Sequence, residues 1–139
     1  MAAVSRLPHA VVCDTHALIY YAFGGQRLGP QAAALFDACD ARAAIIYVPV
    51  IVIVEFGLVL GGRLKRSSMP LRDFFEDLFA NPAYQSFDLT PEQVYLANEA
   101  RPNDDPFDGL ICAAARRLDV PLMTRDAAIA AWGKVQVVW

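Results

Sequence analysis

The chain alternates short β-branched runs with longer segments in which apolar residues recur at helical spacing. Five runs are typical of strands, and the segments between them fit helices. The predicted strands cover residues 10–14, 44–48, 84–89, 120–124 and 135–139. The predicted helices cover residues 17–23, 30–41, 50–60, 70–80, 91–101, 106–118 and 127–132. Strands that alternate with helices predict an α/β fold, in which helices cover both faces of a parallel sheet.

Pro49 divides the most apolar stretch of the chain, residues 44–56. The β-branched residues of this stretch favour a strand by local propensity. Proline has no amide hydrogen to donate, however, and does not sit in the middle of a central strand. We therefore predict that the strand ends at Val48. The helix that follows is expected to end at Gly61 and Gly62, because glycine is common just past helix C-termini.

The composition predicts one compact, soluble domain. The 139 residues (15.2 kDa) match the usual size of a domain, so we assign residues 1–139 to a single domain. A hydrophobic fraction of 56% is too high for a disordered chain and suggests a self-association surface. The longest apolar run, residues 43–60, contains Pro49 and Glu55, so no membrane span is expected.

Charge and cysteine content narrow the function classes further. A net charge of −3 argues against a broad nucleic-acid-binding face, which is normally basic. A net charge of −3 is nevertheless compatible with an enzyme that binds phosphate groups through metal ions. Three cysteines without ligand spacing predict reduced thiols in the core, and no secretory signal is visible. We therefore expect a cytoplasmic protein.

Four acidic residues follow predicted strands or lie near the start of predicted helices: Asp14, Glu55, Asp108 and Asp126. An open parallel sheet binds ligands beyond the carboxyl ends of its strands, so these side chains are expected to converge. Two carboxylates about 5 Å apart repel each other by about 3 kcal/mol at an effective dielectric constant of ~20. Either some of the acids are protonated, or a cation lies among them. Carboxylate oxygens suit Mg²⁺ or Mn²⁺, and such a site suggests phosphoryl-transfer or hydrolytic chemistry.

Simpler structural roles are open for the same acids. Asp14, Asp105 and Asp126 each occupy a position where an aspartate can cap the N-terminus of a helix. Asp108 falls in a first helical turn, where a negative charge favours the helix dipole. Glu55 can be a solvated helix residue, although apolar residues flank it on both sides.

Four sequence motifs occur in a fixed order along the chain. They are Val-Cys-Asp-Thr-His-Ala-Leu at 12–18, Val-Glu-Phe at 54–56, Asp-Pro-Phe-Asp at 105–108 and Leu-Met-Thr-Arg-Asp at 122–126. Together these motifs resemble the PIN-domain family, and within it the VapC-type toxins of bacterial toxin–antitoxin pairs. The resemblance spans roughly residues 10–130. It implies an α/β/α sandwich with a central, mostly parallel sheet.

The resemblance also implies an activity and a set of site residues. The implied activity is a Mg²⁺-dependent endoribonuclease, in which metal-activated water attacks an RNA phosphodiester. The family's four metal-holding, catalytic acids fall on Asp14, Glu55, Asp108 and Asp126. Supporting positions fall on Thr15, Thr124 and Asp105. The implied partners are an RNA substrate, a cognate antitoxin that blocks the cleft, and a second copy of the chain in a homodimer.

The chain departs from the family's pattern beside the third motif. The family often has His or Arg just before Asp-Pro-Phe-Asp and Arg just after it, where this chain has Asn103, Asp104 and Gly109. The missing basic residues favour an alternative function, a catalytically inactive PIN-like module that acts through protein binding. The intact acids favour the ribonuclease.

Overall fold

The computed structural model describes residues 6–66 and 70–139, and within these ranges the chain alternates strands and helices as predicted. The strands are β1 (Ala10–Cys13), β2 (Ile45–Pro49), β3 (Tyr84–Phe87), β4 (Leu122–Met123) and β5 (Val137–Val138). The helices are α1 (Thr15–Ala22), α2 (Pro30–Asp40), α3 (Val50–Arg66), α4 (Leu71–Phe79), α5 (Pro91–Glu99), α6 (Pro106–Leu118) and α7 (Ala127–Trp132). No helix in the described ranges is long and apolar enough to span a membrane.

The described strands form one five-stranded sheet with the order β3-β2-β1-β4-β5, and every neighbouring pair is parallel. β1 is the central strand. β2 and β3 follow on one side of it, and β4 and β5 are then added on the other side. Because crossovers between parallel strands are right-handed, the helices that connect β1 to β3 and those that connect β3 to β5 cover opposite faces. The fold is therefore the predicted α/β/α sandwich. The direction of the strand order reverses between β1 and β4, where open α/β sheets bind ligands.

The central strands carry the core of the molecule. The side chains of Val11, Val12 and Cys13 in β1 have no exposed surface, and Ile46 and Val48 in β2 are equally buried. Continuous apolar strands of this kind are typical of parallel sheets that helices cover on both faces. The three cysteines of the chain are buried and free, as predicted.

β1 and β4 end at the same level of the sheet. Cys13 pairs with Met123, and the amide of Asp14 donates a hydrogen bond to the Met123 carbonyl at 3.1 Å. The next residues along the two strands, Asp14 and Thr124, therefore leave the sheet side by side. This register brings two motifs that are far apart in the sequence to one edge of the sheet.

The predicted end of the helix after Pro49 is wrong. Pro49 is itself the last residue of β2, and α3 follows directly. The helix does not end at Gly61 and Gly62 but continues through both glycines for about one more turn. A glycine inside a helix costs only about 1 kcal/mol, and the buried stripe of α3 offsets this cost. The stripe consists of Val52, Phe56 and Leu60.

The last strand leads into a close contact with the start of α2. The Trp139 carbonyl accepts a hydrogen bond from the Ala32 amide at 2.9 Å, and the Trp139 amide donates to Gln31 Oε1 at 3.3 Å. A β-carbon added at Gly29 would lie 2.2 Å from the Trp139 carbonyl oxygen, so this approach requires glycine. The Trp139 ring also stands edge-on to the ring of Tyr20 in α1, with 6.2 Å between the centroids.

Candidate active site

A cavity of about 540 Å³ opens at the carboxyl edge of the sheet, beside the ends of β1 and β4. The residues that line it are Asp14, His16, Glu55, Asp105, Asp108, Thr124, Arg125, Asp126, Ala127 and Ala128. The four acids predicted from the sequence therefore meet in one place. Two of the predicted supporting residues, Asp105 and Thr124, line the same cavity, and the third, Thr15, lies beneath it.

Asp14 stands where β1 ends and α1 begins. Its Oδ1 accepts a hydrogen bond from the Ala17 amide at 2.8 Å, so the side chain caps α1. Burial raises the pKa of Asp14 to about 6, although hydrogen bonds from Thr124 and from the Ala17 amide favour the charged form. The structure thus confirms the structural alternative for Asp14, since the side chain caps a helix at the edge of the cavity.

Glu55 reaches the cavity from α3 and is held by a residue of α1. The Thr15 hydroxyl, which is 1% exposed, donates a hydrogen bond to Glu55 Oε1. Burial raises the pKa of Glu55, and the negative charges of Asp105 and Asp108 raise it further. Glu55 is therefore not a solvated helix residue.

Asp108 lies in the first turn of α6, and the loop before the helix fixes its orientation. Asn103 donates its side-chain amide to Asp108 Oδ2 at 3.0 Å. Burial raises the pKa of Asp108, and the charges of Asp105 and Asp126 add to the effect. Asp105 caps α6 by accepting a hydrogen bond from the Phe107 amide at 2.8 Å, and its side chain is exposed.

Asp126 enters the cavity from the start of α7. Its Oδ1 accepts a hydrogen bond from the Ile129 amide at 3.0 Å and caps the helix. The Asp126 amide donates to the Thr124 hydroxyl at 3.1 Å, and Thr124 is only 2% exposed. The buried hydroxyl of Thr124 thus ties the Asp126 backbone to the end of β4.

The donor set of this cavity suits a hard divalent cation, because carboxylate oxygens are the ligands that Mg²⁺ and Mn²⁺ prefer. Burial raises the pKa values of Asp14, Glu55 and Asp108, so the protein itself compensates their charges poorly. As the side chains stand, no group of three or more His, Cys, Asp or Glu in the described part of the chain is arranged to hold a metal ion. Metal binding would therefore require Asp14, Glu55, Asp108 and Asp126 to draw closer together.

The sequence did not predict three polar residues of the site: His16, Asn103 and Arg125. Asn103 was noted only for standing where the family often has a basic residue, yet it orients Asp108. Arg125 belongs to the fourth motif but was given no role there, and both it and His16 line the cavity. The available signal was position, since Arg125 lies between two predicted site residues just past a strand end.

Solved structures with the same fold include a toxin–antitoxin complex. VapBC2 from Rickettsia felis, bound to a DNA fragment from its promoter, has a TM-score of 0.69 at 13% identity, over 93% of this chain and 97% of that chain. A toxin–antitoxin complex from Klebsiella pneumoniae has a TM-score of 0.64 at 20% identity, over 93% and 96%. FitAcB from Neisseria gonorrhoeae has a TM-score of 0.54 at 20% identity, over 93% and 96%. At these identities the likeness establishes the fold alone.

Sequence comparisons assign the family. Among curated proteins, no sequence matches the chain significantly. The family model of the PIN domain matches residues 11–135, a range that contains every acid of the cavity. The chain therefore belongs to the PIN domain family.

Proposed function

We propose that this chain is a metal-dependent endoribonuclease and the toxin of a type II toxin–antitoxin pair. The observation that carries the proposal is the meeting of Asp14, Glu55, Asp108 and Asp126 in one cavity at the reversal of strand order. Membership of the PIN domain family supports the nuclease activity. The toxin–antitoxin complex among the structures of the same fold supports the biological role.

The four acids would hold Mg²⁺, or Mn²⁺ in its place. A divalent cation bound there would lower the pKa of a water molecule and stabilise the charge that builds on a phosphate under attack. The protein contributes the orientation of its carboxylates. Thr15 fixes Glu55 and Asn103 fixes Asp108, while Asp14 and Asp126 are each anchored through Oδ1 by a helix amide.

Thermal unfolding with Mg²⁺ or Mn²⁺ against EDTA tests the metal site. The wild type should gain about 2.7 kcal/mol of stability when the metal is at a hundredfold excess over its Kd. Asp108→Asn should be more stable than the wild type in EDTA, because a repelling charge is removed, and should respond weakly to metal. Asp37→Asn, an exposed change on α2, is the matched control and should behave as the wild type does. An equal lack of response in all three proteins would contradict the metal site.

Cleavage of RNA separates the ribonuclease from the binding module. Purified wild type should cleave single-stranded RNA in Mg²⁺ and should inhibit growth when expressed. Asp14→Asn should abolish both effects, since asparagine keeps the helix cap but loses the charge. A chain that binds its partner but cleaves no RNA as wild type, with Asp14→Asn unchanged in affinity, would establish the binding module instead.

We also propose that the chain forms a homodimer and binds an antitoxin. The support for the homodimer is a set of exposed apolar side chains on α3 and α5, which are between 45% and 69% exposed. They are Val54, Leu58 and Val59 of α3 with Val94 and Tyr95 of α5. Exposed apolar surface of this kind marks protein–protein contacts. The antitoxin partner is supported by the similar solved toxin–antitoxin complex.

A further inference from the structure

Arg125 is the one permanently cationic side chain among the residues that line the acidic cavity. It adjoins Asp126 in sequence, yet within the described ranges it forms no salt bridge with any carboxylate. Its guanidinium lies over the ring of Tyr20 instead, 5.0 Å from the ring centroid. The side chain is exposed, so its hydrogen-bond donors remain available to an anion from solution.

A second arginine lies against the same ring. The loop after α1 turns at Gly24 and Gly25, whose φ angles of +107° and +75° suit glycine. The turn brings the exposed guanidinium of Arg27 back to 5.8 Å from the Tyr20 centroid. Arg27 likewise forms no salt bridge with the described residues.

Tyr20 itself is firmly placed beside the cavity. It lies one helical turn after His16, which lines the cavity, and the two ring centroids are 6.3 Å apart. The ring of Trp139, the last residue of the sequence, packs edge-on against the Tyr20 ring. Tyr20, Arg27 and neighbouring residues line a smaller, mostly polar pocket of about 220 Å³. A cationic strip, defined here as Arg125, Tyr20 and Arg27, therefore leads from the acidic cavity to this pocket.

This inference rests on the proposed function. We propose that Arg125 and Arg27 bind phosphates of the RNA strand that flank the bond cleaved in the acidic cavity, and that Tyr20 is a positioning residue for both. Guanidinium groups bind phosphate through paired, charge-assisted hydrogen bonds. An aromatic face holds each guanidinium by a cation–π contact without neutralising its charge.

Such contacts would oppose the negative charge of the cavity. Five carboxylates line it, and an RNA backbone that approaches it meets their combined repulsion. The positions around Asp-Pro-Phe-Asp, where the family often has basic residues, hold Asn103, Asp104 and Gly109 here. The cationic strip supplies positive charge from Arg27 in the loop after α1 and from Arg125 just past β4.

The test compares Arg125→Gln and Arg27→Gln with Arg117→Gln, an exposed arginine nine residues along α6 from Asp108. Affinity for a fluorescently labelled, mixed-sequence single-stranded RNA is measured by anisotropy over a range of salt concentrations. Each strip variant should make the negative slope of log affinity against log salt less steep by about 0.7, the value for one lost phosphate contact on a single strand. Each should also raise KM for cleavage in Mg²⁺ by about tenfold or more, with kcat retained. Arg117→Gln should change neither quantity.

Tyr20 is tested by a matched pair. Tyr20→Phe keeps the aromatic face and should behave as the wild type, whereas Tyr20→Leu should weaken RNA affinity and reduce the salt slope. A purely structural role would lower the melting temperature in Tyr20→Leu and leave the salt slope unchanged, which would overturn the positioning role.

The outcomes separate this inference from the proposed function. If the wild type neither binds nor cleaves RNA, both the proposed function and the cationic strip are overturned. A wild type that cleaves RNA, with Arg125→Gln and Arg27→Gln indistinguishable from Arg117→Gln, would overturn the cationic strip alone. A loss confined to kcat would also overturn it, because the arginines would then act on the chemical step.

Discussion

The Thr15 hydroxyl donates a hydrogen bond to the Glu55 carboxylate, although the two residues are 40 positions apart in the sequence. Thr15 is almost completely buried, so its hydroxyl holds one Glu55 carboxylate oxygen in a fixed position. We predict that Thr15→Val lowers metal affinity or RNA cleavage by about 10- to 100-fold, the usual effect of removing a hydrogen bond that orients a metal ligand. Thr15→Ser keeps the hydroxyl and should retain most of the activity. Titration of Mn²⁺ by calorimetry, alongside cleavage rates, measures both effects, and equal rates for the two variants would contradict the prediction.

Asp14 makes stability depend on pH. Its pKa rises from 3.8 to about 6 on folding, so the folded state favours the protonated form. The stability that this preference contributes is complete below about pH 4 and is lost as pH rises through about 6. The Asp14→Asn variant carries no charge at this position. In EDTA, its free energy of unfolding relative to the wild type should therefore increase between about pH 4 and pH 6. The increase should be up to about 3 kcal/mol, at 1.36 kcal/mol per pKa unit. Denaturant unfolding at a series of pH values measures the difference, and a pH-independent difference would contradict the predicted shift.

Two glycine positions should respond to alanine with opposite signs. Gly29→Ala places a β-carbon against the Trp139 carbonyl and should destabilise the protein by about 1–3 kcal/mol, the usual cost of overpacking. Gly61→Ala adds a methyl group to an open position on α3 and should stabilise it by about 0.5–1 kcal/mol. Melting temperatures of the two variants test the pair. Equal shifts would show that the contact at Gly29 relaxes without cost.

The exposed apolar side chains of α3 should control association. Leu58 is 69% exposed, so Leu58→Lys should leave the melting temperature of the monomer nearly unchanged. The added charge should nonetheless convert the proposed homodimer to a monomer, because burying an unpaired ammonium group is costly. Light scattering after size exclusion measures the mass. Ala130→Lys, on an exposed position of α7, is the control and should remain dimeric. A wild type that is monomeric at high concentration would contradict the homodimer.

Most of the element order could be predicted from the sequence because its signals are local. Proline at the first helical position, β-branched runs and apolar spacing act within a few residues of each other. The end of α3 was missed because the packing of Phe56 and Leu60 on the core overrides the local signal of Gly61. Such packing depends on residues far away in the sequence.

The same distinction between local signals and distant packing applies to the site. The four acids could be placed from strand ends and the order of motifs, and the structure brings them into one cavity. The contacts that orient them could not be predicted, since Thr15 and Glu55 come together only when α1 packs near α3. The position of Arg125 over Tyr20 likewise depends on the register of β1 and β4.

Asp14 and Asp126 each have two roles that selection can preserve, the capping of a helix and the proposed catalysis. Each starts a helix with one oxygen, so replacement by an apolar residue costs stability even in a chain that no longer cleaves anything. Glu55 caps no helix: it lies inside α3, and its burial is unfavourable for its charge. Among descendants of such a chain that lose the proposed catalysis, substitution should therefore appear first at Glu55, while the capping aspartates remain.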